Sequence, residues 1–182
     1  MGLFGNLFKP KTHRTIKHYN NGDWYEGEVD EKGFREGYGI YHYIEGVHSD
    51  AEFYEGEWRH DLKEGRGIYR WESGNEYDGE WENDCRNGTG TLYYKNGGRY
   101  EGGWLNDKRH GYGVYTYTSG QWYEAEWDHG NAYWAVYHWP NGDKCEGRMS
   151  NPGKMDGICT YTKADGTSRR CRYENGTFIT YL

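Results

Sequence analysis

Eight histidines, four cysteines and many closely spaced glutamates are the side chains of this sequence with the most obvious chemistry. No histidine pair has the HxxxH or HExxH spacing of a zinc hydrolase, and the sequence contains neither a GxSxG motif nor a P-loop. Glutamate pairs such as Glu55 and Glu57 recur at regular intervals, which is typical of solvated strand faces. The sequence therefore predicts no catalytic residues and no enzyme.

The cysteines, Cys85, Cys145, Cys159 and Cys171, form no CxxC pair. We interpret them as free thiols in a reducing compartment rather than as a disulfide frame or a zinc site. We accordingly predict no metal site and no bound cofactor. No apolar run approaches the ~20 residues that a bilayer-crossing helix needs. We expect an intracellular protein, cytoplasmic or cytoskeletal, with organelle targeting left open.

The composition favours strands over helices. Aromatic residues make up 19% of the 182 residues, with 20 Tyr and 9 Trp, and 29 residues are Gly. Glycine destabilises helix interiors by about 1 kcal/mol relative to alanine, whereas Tyr and Trp are enriched in strands. The elements that position the polar side chains are therefore expected to be short β-strands joined by glycine-containing turns.

A five-residue motif recurs along these strands. "YEGEW" at Tyr54 is followed by "YDGEW" at Tyr77, "YEGGW" at Tyr100 and "YEAEW" at Tyr123, in steps of 23 residues. A constant period between 20 and 50 residues indicates a stacked repeat array. An earlier unit begins at Tyr25, and the leading position is taken later by Cys145 and then by Arg169.

Each unit has a second motif, Gly-x-Gly, followed by a β-branched residue and then by aromatics. Gly65-Arg66-Gly67-Ile68 is one example. The fifth unit replaces the glycines with Tyr133-Trp134-Ala135, and we align the sixth with Met155 at the first glycine. In such strands Tyr, Gly and Trp share one face and the glutamates the other. Each unit is predicted to be a β-hairpin that is stable only when its neighbours cover its aromatic residues.

This pattern resembles the MORN (membrane occupation and recognition nexus) repeat, whose unit is Y-x-G-x-W, a short spacer and G-x-G in about 23 residues. Tyr54, Gly56, Trp58, Gly65 and Gly67 match it fully, as do the units that begin at Tyr77 and Tyr100. The resemblance covers roughly residues 19–182. It implies an all-β, elongated solenoid of stacked antiparallel β-hairpins, and a stand-alone scaffold, since the repeats use nearly the whole chain.

We divide the chain into three parts. Residues 1–18 form a basic and apolar N-terminal docking segment, residues 19–166 an array of about six repeats, and residues 167–182 a C-terminal capping hairpin around Asn175-Gly176. Leu3, Phe4, Leu7 and Phe8 are the expected docking residues, and a protein partner is the preferred target. Membrane binding by this segment is the secondary possibility.

Charge is distributed unevenly. Residues 19–142 hold 11 basic and 24 acidic residues, a net charge of −13, whereas residues 143–172 have a net charge of +3. A regular series of acids on one strand face should repel anionic lipid and nucleic acid, so no nucleic-acid partner is expected. Adaptor binding to anionic lipid, through the N-terminal segment and the basic C-terminal third, is the alternative function.

Protein binding is the predicted function of the array. We expect the aromatics of the "YEGEW" strands to pack between units, and those of the second strands to line an open groove for a partner helix or extended segment. The acidic series could then select a partner with basic residues. The sequence thus predicts a structural component of a large ciliary or cytoskeletal assembly. The predicted groove residues are Tyr69, Trp71, Tyr94, Tyr115, Tyr117, Tyr137 and Trp139.

Overall fold

The computed structural model describes residues 10–44, 51–150 and 153–182, and the regular structure of these ranges is entirely β-strand. No helix long and apolar enough to cross a membrane occurs among these residues. The chain is divided into two compact units, Met1–Cys85 and Arg86–Leu182. The predicted all-β class of stacked antiparallel hairpins is confirmed.

In the first unit, every strand is hydrogen-bonded in antiparallel fashion to the next along the chain. The alternation of Tyr, Gly and Trp with acids gives each first strand one buried and one exposed side. The strands are β1 (Thr12–His18), β2 (Trp24–Asp30), β3 (Arg35–His42), β4 (Ala51–Arg59), β5 (Leu62–Trp71) and β6 (Glu76–Glu82).

Strand β1 lies within the segment that was expected to dock on a partner. It pairs with β2 over seven residues, from Thr12 opposite Asp30 to His18 opposite Trp24. The C-terminal part of residues 1–18 is therefore an edge of the sheet. The predicted docking residues Leu3, Phe4, Leu7 and Phe8 lie outside the described residues.

The second unit continues the same antiparallel pattern between consecutive strands. The last two strands form the predicted C-terminal hairpin, which turns at Asn175 and Gly176 with positive φ at both residues. The strands are β7 (Cys85–Tyr93), β8 (Arg99–Leu105), β9 (Lys108–Thr116), β10 (Trp122–Asp128), β11 (Asn131–His138), β12 (Lys144–Ser150), β13 (Lys154–Thr162), β14 (Ser168–Glu174) and β15 (Thr177–Tyr181).

Strand register separates two faces in each unit. Tyr54 lies opposite Tyr69 and Gly56 opposite Gly67, so these four residues share a face, whereas Glu55 and Ile68 pair on the other. We call the first the aromatic face and the second the acidic face. The predicted separation of aromatic from β-branched residues in the second strands is confirmed.

The sixth repeat is registered differently from the sequence alignment. Gly147 lies opposite Cys159 and Cys145 opposite Tyr161, so Cys159, not Gly157, occupies the place of the second glycine. Gly157, with φ +84°, stands where Gly111 and Gly65 have positive φ. The alignment of Met155 with the first glycine was therefore wrong. The connection from β12 to β13 is one residue longer than the connection from β8 to β9.

Candidate functional site

The leading tyrosine of a repeat is the centre of the aromatic face. Tyr54 is fully buried, and its hydroxyl donates a hydrogen bond to the carbonyl of Glu57 at 3.0 Å. Its ring lies against Gly56 and Gly67, because a Cβ added to Gly67 would come within 2.4 Å of the Tyr54 hydroxyl. A Cβ on Gly56 would lie 2.5 Å from the Gly67 Cα. The glycine pair therefore makes room for the ring.

The motif tryptophan connects successive hairpins. The Nε1 of Trp58 donates to the carbonyl of Gly39 at 3.1 Å. Its ring meets Tyr54 and Tyr25 edge to face, at centroid distances of 4.9 and 5.7 Å. Trp104 donates in the same way to a glycine carbonyl of the preceding hairpin. The expectation that the "YEGEW" aromatics pack between units is confirmed.

A basic residue at the start of most second strands covers the tryptophan of the next repeat. The Arg35 guanidinium carbon lies 4.0 Å from the Trp58 ring centroid, and the Arg35 Nε donates to Asp61 at 3.0 Å. Sequence reasoning missed these cations, although each stands two residues before the first glycine of Gly-x-Gly. Such contacts stabilise by about 0.5–2 kcal/mol. The series is Arg35 over Trp58, Lys63 over Trp81, Arg86 over Trp104 and Arg109 over Trp127.

All seven predicted groove residues lie on the aromatic face and are half-buried. In the first unit, Tyr69 contacts Trp71 at a centroid distance of 4.7 Å. In the second unit, Tyr115 stacks on Tyr123 at 5.6 Å and also contacts Tyr94 at 5.6 Å. Tyr94 and Tyr115 are therefore engaged mainly in packing between hairpins.

The other three predicted groove residues, Tyr117, Tyr137 and Trp139, line one open cavity of about 450 Å³ in the second unit. Its opposite side comes from the C-terminal hairpin, through Tyr173 and Phe178. Sequence reasoning missed these two residues, although both are aromatics of a predicted hairpin. Phe178 is 42% exposed, so the cavity has an apolar wall that is open to solvent.

Polar groups line the cavity beside the aromatic side chains. The Tyr137 hydroxyl donates to the carbonyl of Gly153, and burial raises the pKa of Tyr137, so this group remains a neutral donor at physiological pH. Gln121, Lys154 and Asn175 also line the cavity. A cavity that combines aromatic walls with several polar groups is suited to an apolar side chain flanked by main-chain hydrogen-bonding groups.

The acidic face lies on the other side of the sheet in each unit. In the second unit, Glu101 and Glu124 both pair with Val114. The Tyr112 hydroxyl donates to Glu124, which lowers the pKa of Glu124. A segment seated in the cavity would face away from these acids. The acidic series and the cavity therefore lie on opposite faces of the sheet in this unit.

The acidic face becomes basic in the C-terminal strands. Lys144, Arg148, Arg170 and Arg172 are exposed on β12 and β14, on the same face as Glu146. Two apolar side chains accompany them, since Trp134 is 50% exposed and Ile158 49% exposed. Within the second unit, one face thus carries an acidic region and a basic, partly apolar region.

Within residues 10–44, 51–150 and 153–182, two groups of side chains have the proximity that metal ligands require. Asp128 Oδ1 lies 2.5 Å from the Nδ1 of His129 and 3.6 Å from that of His110, and the carboxylate is exposed. The second group, Cys145, Cys159 and Cys171, is buried. Burial raises the pKa of the Cys145 and Cys159 thiols, that of Cys159 to about 12.

Comparison with known proteins agrees with this geometry. The family model described as the MORN repeat matches residues 25–47, 54–76, 77–99, 100–122, 135–144 and 153–168. No curated protein shows significant similarity to the chain. The matched segments cover more than half of the sequence and coincide with the hairpins described above. The chain therefore belongs to the MORN repeat family.

Proposed function

We propose that this chain is a non-catalytic scaffold that binds other proteins through its aromatic face, as a structural subunit of a large intracellular assembly such as a ciliary or cytoskeletal complex. MORN repeats are associated with protein or membrane binding, and the family is generally not enzymatic. The observation that favours protein binding is the open cavity in which Tyr117, Tyr137 and Trp139 meet Tyr173 and Phe178.

The cavity suits a particular kind of partner. A volume of about 450 Å³ accommodates a few apolar side chains from one face of a helix or from alternate positions of an extended segment. Tyr and Trp are enriched among residues that dominate binding energy, because they bury large rigid surfaces at little entropic cost. Basic residues of the same partner, or of a second one, would be attracted to the acidic face.

The test is capture of a partner by the full chain, followed by substitution of the cavity. Proteins retained from native lysate are identified by mass spectrometry, and the affinity for the most abundant one is measured. Tyr117→Ala and Trp139→Ala should each weaken that affinity by about 2 kcal/mol, or roughly 30-fold. Unchanged affinity in both variants would show that the partner does not bind in the cavity.

Tyr133→Ala is a matched control, because Tyr133 is an aromatic on β11 that is 65% exposed and lies outside the cavity lining. It should bind like the unsubstituted chain. A second control deletes residues 1–10 only, which leaves strand β1 in place. If that variant still binds the partner, the repeats contain the binding site. If binding is lost, the N-terminal segment contains it.

The basic, partly apolar surface on β11–β14 favours a second candidate, a peripheral membrane adaptor. Lys144, Arg148, Arg170 and Arg172 beside Trp134 combine the charge and the aromatic side chain that anionic lipid surfaces attract. In this case the full chain should sediment with vesicles that contain phosphatidylserine and be released by salt. Arg148→Glu combined with Arg172→Glu should abolish sedimentation, whereas neutral vesicles should not bind the chain.

A further inference from the structure

The core of the second unit contains three cysteines on consecutive strands that the proposed function does not use. Cys145 on β12 and Cys171 on β14 are 0% exposed, and Cys159 on β13 is 4% exposed. The Sγ of Cys159 lies 2.8 Å from that of Cys145 and 2.7 Å from that of Cys171. All three sulfurs lie within 4.8 Å of one another. Three thiols thus converge at one point shielded from solvent.

The strand register produces this convergence. Cys159 lies directly opposite Cys171 on one side and opposite Gly147 on the other, and Gly147 is two residues from Cys145. A Cβ on Gly147 would come 2.6 Å from the Cys159 Cβ and 3.1 Å from the Met155 Cε. Because Gly147 has no side chain, the side chains of Cys159 and of the buried Met155 can both lie close to it.

Packing alone does not require sulfur at these positions. In the fifth repeat, Ala125 and Ala135 pair with each other where the sixth repeat has Gly147 and Cys159. Both alanines are buried, at 5% and 1% exposure. Small apolar side chains therefore fill this place in the same fold. What a cysteine adds is a sulfur that can bind a metal ion.

We propose that Cys145, Cys159 and Cys171 form a closed site for a thiophilic metal ion, Zn²⁺ or Cu⁺, bound through three thiolates. Soft sulfur ligands select these ions over harder cations. A metal–sulfur bond of about 2.3 Å in a three-sulfur plane holds the sulfurs about 4 Å apart, so the two short edges must widen by about 1 Å. Rotation of the cysteine side chains supplies such a movement.

Charge favours Zn²⁺, whereas the number of ligands favours Cu⁺, because structural Zn²⁺ sites almost always have four ligands. Each thiol releases its proton to solvent when its sulfur binds, so Zn²⁺ with three thiolates leaves one net negative charge, and Cu⁺ leaves two. A buried charge needs compensation. The single residual charge of the Zn²⁺ site needs less compensation than the two charges of the Cu⁺ site. The buried Met155 thioether is a further soft group beside Cys159.

The experiment measures metal binding by the full chain, reduced and stripped of metal. Zn²⁺ is titrated in competition with a chromophoric chelator, and Cu⁺ is titrated anaerobically in a separate arm with its own chelator. We expect one ion per chain in at least one arm, together with a higher Tm. The arm with the tighter binding identifies the ion.

Variants locate the site. Cys159→Ala and Cys171→Ala should each weaken binding by about 100-fold or more, since each removes one of three ligands. Cys85→Ala is the matched control, because Cys85 is a half-buried cysteine outside the cluster, and this variant should bind like the unsubstituted chain. If one cluster variant unfolds, the other decides.

Three results would overturn the proposal. The first is that neither ion binds in stoichiometric amount, and the second is that both cluster variants retain full affinity. The third is that the intact mass of the chain purified under reducing conditions shows a disulfide within the cluster. That third result would mean that the convergence serves a covalent bond between two of the sulfurs and not a metal ion.

Discussion

Two repeats of the second unit occupy equivalent places in the sheet with different cores. The aromatic repeat, β8–β9, has Tyr100 over Gly102 and Gly113, with Trp104 opposite Arg109. The sulfur repeat, β12–β13, has Cys145, the pair Gly147 and Cys159, and Met149 opposite Met155. A ring on two glycines, and a tryptophan beside a cation, are thus replaced by thiols and thioethers at the same register.

The comparison shows that the core positions of a repeat depend on one another. Tyr100 is fully buried, and a Cβ on Gly113 would come within 2.3 Å of its hydroxyl. In the sulfur repeat the leading residue is Cys145, which has no ring. The space that a tyrosine ring would fill is therefore available to the Cys159 side chain, which is 4% exposed. The hairpin backbone tolerates either set, provided that the leading residue and the second glycine position change together.

The largest expected effect comes from exchanging these positions. Gly113→Cys should lower the free energy of unfolding by about 3 kcal/mol, because the new side chain overlaps the Tyr100 ring. Tyr100→Cys alone leaves a cavity and should cost about 4 kcal/mol. The double variant should lose less than the sum, by roughly 1–3 kcal/mol of coupling. Urea unfolding followed by tryptophan fluorescence measures all three values.

A control cycle uses Thr116→Ala. Thr116 is the last residue of β9 and pairs with Arg99, away from the two glycines. Combined with Tyr100→Cys, it should give additive losses within about 0.5 kcal/mol. Additivity in the Gly113 cycle as well would show that the two cores do not differ through this pair of positions.

Much of this comparison could be predicted from the sequence, because the features involved are determined by residues that are close together in the chain. The 23-residue period, the alternation within "YEGEW" and the positive-φ glycines between hairpins all depend on neighbours in the chain. Alignment of the sixth repeat failed because Gly157 was taken as the second glycine, whereas the strand register puts it in the place of the first and Cys159 in the place of the second. The meeting of Cys145, Cys159 and Cys171 follows from that register.

The candidate site was predicted in part for a similar reason. The second-strand aromatics stand at fixed positions of the repeat, and their placement on one face follows from strand alternation. Which of them remain available depends on neighbours from other strands. Tyr115 is stacked on Tyr123, whereas Tyr117 and Trp139 face the C-terminal hairpin that supplies Phe178. Spacing alone does not contain this information.

An intermediate effect is expected from the cation that the sulfur repeat lacks. The Arg109 guanidinium carbon lies 4.6 Å from the Trp127 ring centroid and 4.9 Å from that of Tyr100. Arg109→Met copies the equivalent Met155 and should cost about 1 kcal/mol in free energy of unfolding. The control, Lys108→Met, changes the exposed neighbouring residue on β9 and should alter stability by less than about 0.5 kcal/mol. Equal losses of stability in the two variants would mean that positive charge at the start of the strand stabilises the fold and that the contact of Arg109 with the rings does not.

The smallest expected effect concerns the turn before each first strand. In the sulfur repeat, the Tyr161 hydroxyl donates to Asp143, which raises the pKa of Tyr161 to about 12 and lowers that of Asp143. In the aromatic repeat, the Tyr115 hydroxyl lies instead near Gly98, which has no side chain to accept from it. Burial raises the pKa of Tyr115. The Tyr161 bond is therefore the one that should impose a carboxylate-dependent titration.

Asp143→Asn isolates that bond. Because the folded-state pKa of Tyr161 is above its ordinary 10.0, the tyrosine's contribution to stability is complete below pH 10 and is lost as pH rises through about 12. The contribution of Asp143, whose pKa is lowered from 3.8, is present above that value and is lost as pH falls through the lowered pKa. The substitution should lower the pKa of Tyr161 and leave that of Tyr115 unchanged, as measured by NMR of ¹³C-labelled tyrosine. Equal shifts of both tyrosines would show that the variant alters the whole sheet, so that the two turns could not be distinguished by this carboxylate.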